Sequence, residues 1–164
     1  MTRLVPRLDA EESTAWLSLV TLLELLPSAL DSQLQRDSAL THFEFAVLSY
    51  LRFSPEQTQR MSALATGTNA TLPRLSHVVT RLEKRGLVER TPCPEDRRAT
   101  NARLTDAGRR ELVRATPGHI AFVRRAVIDS LSREQLGQLA GIADAITRTL
   151  DPEGRFAALP KEPA

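Results

Sequence analysis

The 164 residues are 41% apolar, and Lys and Arg outnumber Asp and Glu by 22 to 20, which is enough chain for one domain with a core of its own. Aromatic residues make up only 4%, with one Trp and one Tyr, so the core must be built from Leu, Val and Ala, a composition that favours helices. A single cysteine excludes an internal disulfide framework, MTRLVPRLDAEES lacks the apolar centre of a signal peptide, and the apolar run at 17–26 is broken by Ser18, Thr21 and Glu24; the expectation is a cytoplasmic chain with no membrane partner.

Asp9-x-x-Glu12 is a capping box that opens a first helix. Trp16, Leu19, Val20, Leu23, Leu26, Leu30 and Leu34 follow a helical stripe, and Leu17, Leu22 and Leu25 widen it. A helix apolar nearly all round is buried on several sides, which in a chain of this size points to a second subunit. Pro27 is expected to kink this helix. Thr41-x-x-Glu44 is a second box, before a helix that ends near Phe53 because Ser54-Pro55 follows. Residues 61–66 read as a short third helix, and Gly67, Thr68, Asn69 and Ala70 as the turn of a helix-turn-helix.

Thr71 caps the next helix, and because Pro73 has no amide the cap bond must come from Arg74. Leu72, Leu75, Val78, Val79 and Leu82 form its buried stripe. The opposite face carries Pro73, His77, Thr80 and Lys84, edged by Arg74, Ser76 and Arg81, with no carboxylate among them. Alone, such a face is an ordinary solvated surface. Two short strands follow, Leu87 to Arg90 and Thr100 to Leu104, around a loop with Pro92, Pro94, Glu95, Asp96, Arg97 and Arg98. Helix, strand, basic hairpin, strand is the order of a winged helix, whose helix enters a groove of DNA while the hairpin reaches the neighbouring backbone. Charge agrees: between Arg60 and Arg114, Lys and Arg outnumber Asp and Glu by 12 to 6, against 10 to 14 elsewhere.

Thr105 is expected to cap a long helix to about Leu131, interrupted at Pro117-Gly118. Ser132-x-x-Gln135 opens a last helix with Leu136, Leu139, Ile142, Ala143 and Ile146 on one side. From Asp151 on, three prolines in 14 residues suggest a loose tail. Leu19, Leu23 and Leu26, with Trp16, and Leu131, Leu136, Leu139, Ile142 and Ile146 carry more apolar surface than a winged-helix lobe covers, and a second copy is expected to bury it.

There is no Gly-rich phosphate loop, nucleophile elbow or Cys/His pair at metal spacing, so neither an enzyme nor a cofactor or metal is expected. His42 reads as packing at a helix start and His119 as lying on an exposed or interfacial helix face. Cys93, between two prolines in the hairpin, reads as an incidental exposed thiol; a redox-responsive protein acting through it is the alternative.

LA-TGTNATLPRLSHVVTRLEKRGLVER, PEDRRA and LTDAGR contain three motifs in order: RLEKRGLV closing the helix, Asp-Arg-Arg in the hairpin and Leu-Thr-x-x-Gly opening the next helix. From Thr41 to Arg114 the chain closely resembles the MarR family, the bacterial multiple-antibiotic-resistance type of regulator. The resemblance implies a mainly α winged helix-turn-helix with a two-stranded β wing and dimerisation helices at both ends. Residues 1–36 would be the N-terminal dimerisation helix, 37–115 the DNA-binding lobe, 116–150 the C-terminal dimerisation helices and 151–164 a flexible tail of one structural domain. Its partners would be double-stranded DNA and a second copy, on near-palindromic promoter sites that the family most often represses. Thr71, Pro73, Arg74, Ser76, His77 and Thr80 would face bases and phosphates, Arg81, Lys84 and Arg85 would hold the backbone, and Arg97 and Arg98 would work at the wing. Asp96 resembles the family's wing aspartate, which holds the wing arginines. The family's effectors are often small aromatic acids or phenols, bound between the dimerisation helices and the lobe. Trp16, His42, Phe43 and Phe45 are the candidates for such a pocket, although each also reads as core. Some relatives sense peroxide through a cysteine in the first helix, which here has none. A winged helix used only for protein contacts is the other alternative.

Overall fold

A computed structural model describes residues 7–94 and 96–156; the side chain of Arg97 lies outside the described part, as do Glu95 and most of the tail. α1 spans Ala10–Ser38 and starts with the expected box, Asp9 accepting from the amide of Glu12 and Glu12 from that of Asp9. It continues as helix through Pro27, whose missing N–H leaves the Leu23 carbonyl without its helical donor. Ala39, left-handed at φ 52°, ends it. The Thr41–Glu44 box then opens α2, His42–Phe53.

A turn at Pro55–Gln57 leads into β1, Thr58–Arg60. Glu56 and Gln57 both adopt φ above 50°, an arrangement that costs a non-glycine residue free energy and is held here by the turn. β1 is a strand that the sequence reading lacks. Its three polar residues show no alternation, and they extend only because they pair antiparallel with a later strand, Thr58 opposite Arg103 and Arg60 opposite Asn101. α3, Met61–Gly67, and α4, Leu72–Lys84, are joined by a turn with Asn69 in the left-handed region. Gly67 lies close against the Tyr50 side chain, whose ring end a Cβ there would overlap.

β2, Val88–Cys93, and β3, Asp96–Leu104, form the hairpin. The strands run further than expected and leave only Pro94 and Glu95 between them, so the two-stranded wing becomes part of a three-stranded antiparallel sheet in the order β1-β3-β2. Thr105 caps α5, Asp106–Ala126, by accepting from the amide of Gly108. Two expectations fail here. Pro117-Gly118 does not interrupt the helix, since Pro117 costs it one amide and the opposite carbonyl is on exposed Val113. The helix also stops at Ala126, before a turn at Ile128–Ser130, rather than near Leu131. α6, Arg133–Leu150, starts with the Ser132–Gln135 box.

The core lies in the middle of the chain. Leu34 and Leu40 meet Leu48 and Leu51 of α2, Leu64 of α3 and Leu75 and Leu82 of α4, all without solvent exposure. Each such leucine stabilises the fold by about 1.5–3 kcal/mol. The ends differ: α6 has no buried residue, and in α1 only Gln33, Leu34 and Ser38 are buried. Trp16 is 54% exposed, and Leu23, Leu139, Ile142 and Ile146 are exposed with it, while Leu19, Leu26, Leu131 and Leu136 are half-buried. By length and composition α1 is also apolar enough to cross a membrane, so Ser18, Thr21 and Glu24 do not break the run as expected.

Candidate nucleic-acid interface

α4 is held at both ends by local chemistry. Thr71 Oγ1 accepts from the Arg74 amide, as Pro73 dictates. At the other end Gly86 adopts φ +70°, its N–H donating to Glu83 O while that of Leu87 donates to Leu82 O. This is a Schellman motif, and it needs the left-handed residue that glycine supplies. Leu75, Val78, Val79 and Leu82 are buried beneath the helix, but Leu72, expected in that stripe, is half-exposed. Leu72 instead lines a cleft of about 420 Å³ with Arg60, Ser62, Ser76, Arg90, Arg98 and Thr100, between α3, α4 and the hairpin. Outward stand Thr71, Pro73, Arg74, His77 and Lys84.

Several cations expected at the surface are turned to other work. Arg81 Nε lies 3.0 Å from Glu44 Oε1, a carboxylate only 4% exposed, whose other oxygen accepts from the Thr41 amide. Arg85 donates to the carbonyl of Ala39 at 2.8 Å and approaches Glu111 at 4.0 Å, which ties the end of α4 to α1 and α5. The backbone-holding role expected of Arg81 and Arg85 thus competes with a buried carboxylate and a helix-end carbonyl, while both side chains stay partly exposed. Arg74 stacks its guanidinium 4.5 Å above the Phe43 ring, so Phe43 is a platform for α4.

In the hairpin, Asp96 Oδ1 accepts from the backbone N–H of Arg98 and shapes the tip through the main chain. Arg98 is exposed beside it. Cys93 is 2% exposed, and Arg60 donates to its sulfur at 3.2 Å. The exposed thiol expected from the flanking prolines is thus a buried one: Cys93 is an inward position at the end of β2, and the Arg60 guanidinium reaches its sulfur.

Sequence reasoning passed over Arg90. From β2 it donates through Nη1 to Glu83 Oε2 at 2.6 Å, and through Nη2 to Ser76 O at 2.9 Å and Thr80 Oγ1 at 3.0 Å. Its backbone N–H also donates to Glu83 Oε1. Thr80 Oγ1 in turn donates to Ser76 O, so its hydroxyl is used as donor and acceptor inside the protein. Glu83, seven residues after Ser76 and three after Thr80, was the available signal.

Of the residues expected at an effector pocket, His42 and Phe45 both pack near His119, Phe43 lies under Arg74, and Trp16 stands apart from them within the chain. His42, Phe43 and Phe45 begin α2, and Phe45 packs 4.6 Å from the ring of His119 on α5. Trp16 lies 15 residues before Asp31, the α1 residue that accepts from the His42 amide, about 22 Å along a helix. His119 Nδ1 is 3.1 Å from Gln33 Oε1, and Gln33 Nε2 donates to Asp37 Oδ2 at 2.8 Å, so the neutral imidazole carries its proton on Nδ1. The rings of His42 and His119 are 6.1 Å apart. Burial lowers the pKa of both from the ordinary 6.5; Asp31 opposes this at His42, and neighbouring His42 adds to it at His119.

Residues 40–100 match the model of the MarR family. The chain is 43% identical to Sco3205, a MarR family transcriptional regulator from Streptomyces coelicolor crystallised in complex with DNA, over 90% of this chain and 96% of that one, with a TM-score of 0.85. AbsC, a MarR family transcriptional regulator from the same organism, is 36% identical over 91% and 100% of the two chains, with a TM-score of 0.84. A third regulator of that organism, Sco5413, shares the fold at 21% identity and a TM-score of 0.76, over 88% and 99% of the chains. With this winged helix and identity of this extent along nearly the whole length of Sco3205, the chain belongs to the MarR family of transcriptional regulators.

Proposed function

We propose that this chain binds near-palindromic promoter sites in duplex DNA as a cytoplasmic homodimer and represses transcription there. One observation carries the reading. The chain presents an outward face of Thr71, Arg74, His77 and Lys84 on α4, with Arg98 on the hairpin beside it, while the uncovered apolar surface is on α1 and α6. Hydroxyl, imidazole and cationic side chains on a narrow helix suit base edges and phosphates in the major groove. The Sco3205 complex with DNA, at 43% identity, supports the same partner. Leu23 of α1 and Ile142 of α6 are exposed in one chain, and a second copy related by a two-fold axis would bury such surface and present two α4 helices to one duplex. Repression is the family's most frequent outcome, and site occupancy alone suffices for it.

A helix used for protein contacts would present an apolar or acidic face; on α4 the exposed Leu72 lines the cleft and Glu83 is paired with Arg90, and the face of Thr71, Arg74, His77 and Lys84 carries neither kind of residue. A peroxide sensor at Cys93 needs an accessible thiol, and burial removes that support. No effector is part of the proposal, because Trp16 and His42 do not share a pocket within the chain. The test is binding to the DNA upstream of the protein's own coding sequence and to random duplex, titrated with salt. The reading requires a steep salt dependence on both and tighter binding to the former. Equal and salt-insensitive binding would rule it out.

A further inference from the structure

We infer that Arg90 is a positioning residue that fixes the angle between α4 and the hairpin without itself touching DNA. The inference rests on the DNA-binding reading above. Its acceptors Ser76 O, Thr80 Oγ1 and the Glu83 carboxylate recur at spacings of four and three along α4, so one guanidinium from β2 grips two turns of a single helix edge. A planar fork with donors to three separate acceptors restrains both the distance of the helix from the strand and its rotation about its own axis.

Cohesion alone does not account for this cluster. The apolar face of α4 is already held by Leu75, Val78, Val79 and Leu82, and the Arg90 side chain is 25% exposed with Glu83 more so. Partly exposed ion pairs add little to stability. Apolar contacts are non-directional, so a rotation of a few degrees is better set by directed hydrogen bonds, and rotation decides which bases Thr71, Arg74 and His77 meet. Because the Thr80 hydroxyl is committed to Arg90 and Ser76 O, it supports base readout instead of performing it, contrary to its expected role.

The test compares Arg90→Gln, Glu83→Gln and the double variant with the parent, measuring operator affinity, random-DNA affinity, salt slope and melting temperature. Removing a carboxylate near DNA ordinarily strengthens binding by charge alone. Here Glu83→Gln should weaken operator binding about tenfold, the order expected when one base-edge interaction is removed, and leave random-DNA affinity within about twofold. The double variant should lose no more than Arg90→Gln alone, since both break one cluster. Arg90→Gln should keep the parent's salt slope, whereas removing a phosphate-binding cation lowers it by about 0.9. Should Arg90→Gln fail to fold, Glu83→Gln carries the test, because its residue is on the helix surface. A slope lowered by Arg90→Gln, or operator binding by Glu83→Gln as tight as the parent's, would overturn the positioning role while leaving DNA binding intact. A parent with no operator preference would fail the DNA reading itself and this inference with it.

Discussion

His77 projects from the exposed side of α4, one turn beyond its capped start, where helix residues meet base edges. His77→Ala should relax sequence preference, reducing discrimination by about 1–3 kcal/mol as for one base-edge interaction, and change random-DNA affinity little; equal losses on both would move His77 to the backbone. Arg98→Ala, at the hairpin tip, should lower the salt slope by about one with the melting temperature nearly unchanged. Arg81→Ala should do the reverse. It strands a buried Glu44 carboxylate and costs about 1–2 kcal/mol of stability, discounted because Arg81 itself is half-exposed, with no change in slope. This contrast marks what a sequence cannot carry. The helical face at Arg74, His77 and Lys84 is legible from spacing, because a period of 3.6 decides which side faces out. Whether a long arginine on that helix extends to solvent or folds back is decided by Glu44 and Ala39, 37 and 46 residues away.

The elements were legible wherever local chemistry sets their ends. Three capping boxes, the Thr71 and Thr105 caps and the Gly86 turn lie within four residues of the bonds they make. β1 was not legible, since Thr58, Gln59 and Arg60 become a strand only through β3. Gly108 shows the same dependence inside a motif: a Cβ there would collide with the Leu87 carbonyl, which accepts from Thr105 N–H. Gly108→Ala should therefore destabilise the junction of hairpin and α5 by roughly 1–3 kcal/mol, read as a lower melting temperature. Where α1, α2 and α5 meet, His42 and His119 titrate below their unfolded value of 6.5. The unfolded chain then takes up protons first, so stability is full above about pH 6.5 and falls as pH drops below it toward the folded values. Replacing both histidines with Gln should flatten the melting temperature against pH in that window; an unchanged slope would place the titration elsewhere.

At the scale of the whole molecule, α1 and α6 leave apolar surface that a single chain does not cover. Removing residues 129–164 should make the protein aggregate or remain monomeric in light scattering, with operator affinity falling toward that of one half-site. A dimer that survives this truncation with full affinity would free α6 from the interface. The central claim, two winged helices of a two-fold dimer reading one duplex, is tested most directly by hydroxyl-radical footprinting on the upstream region of the protein's own coding sequence. Two protected patches should lie on one face of the duplex, about one helical turn or roughly 10 bp apart, over a near-palindrome. A single unrepeated patch, from a protein that scatters light as a monomer at micromolar concentration, would contradict the account.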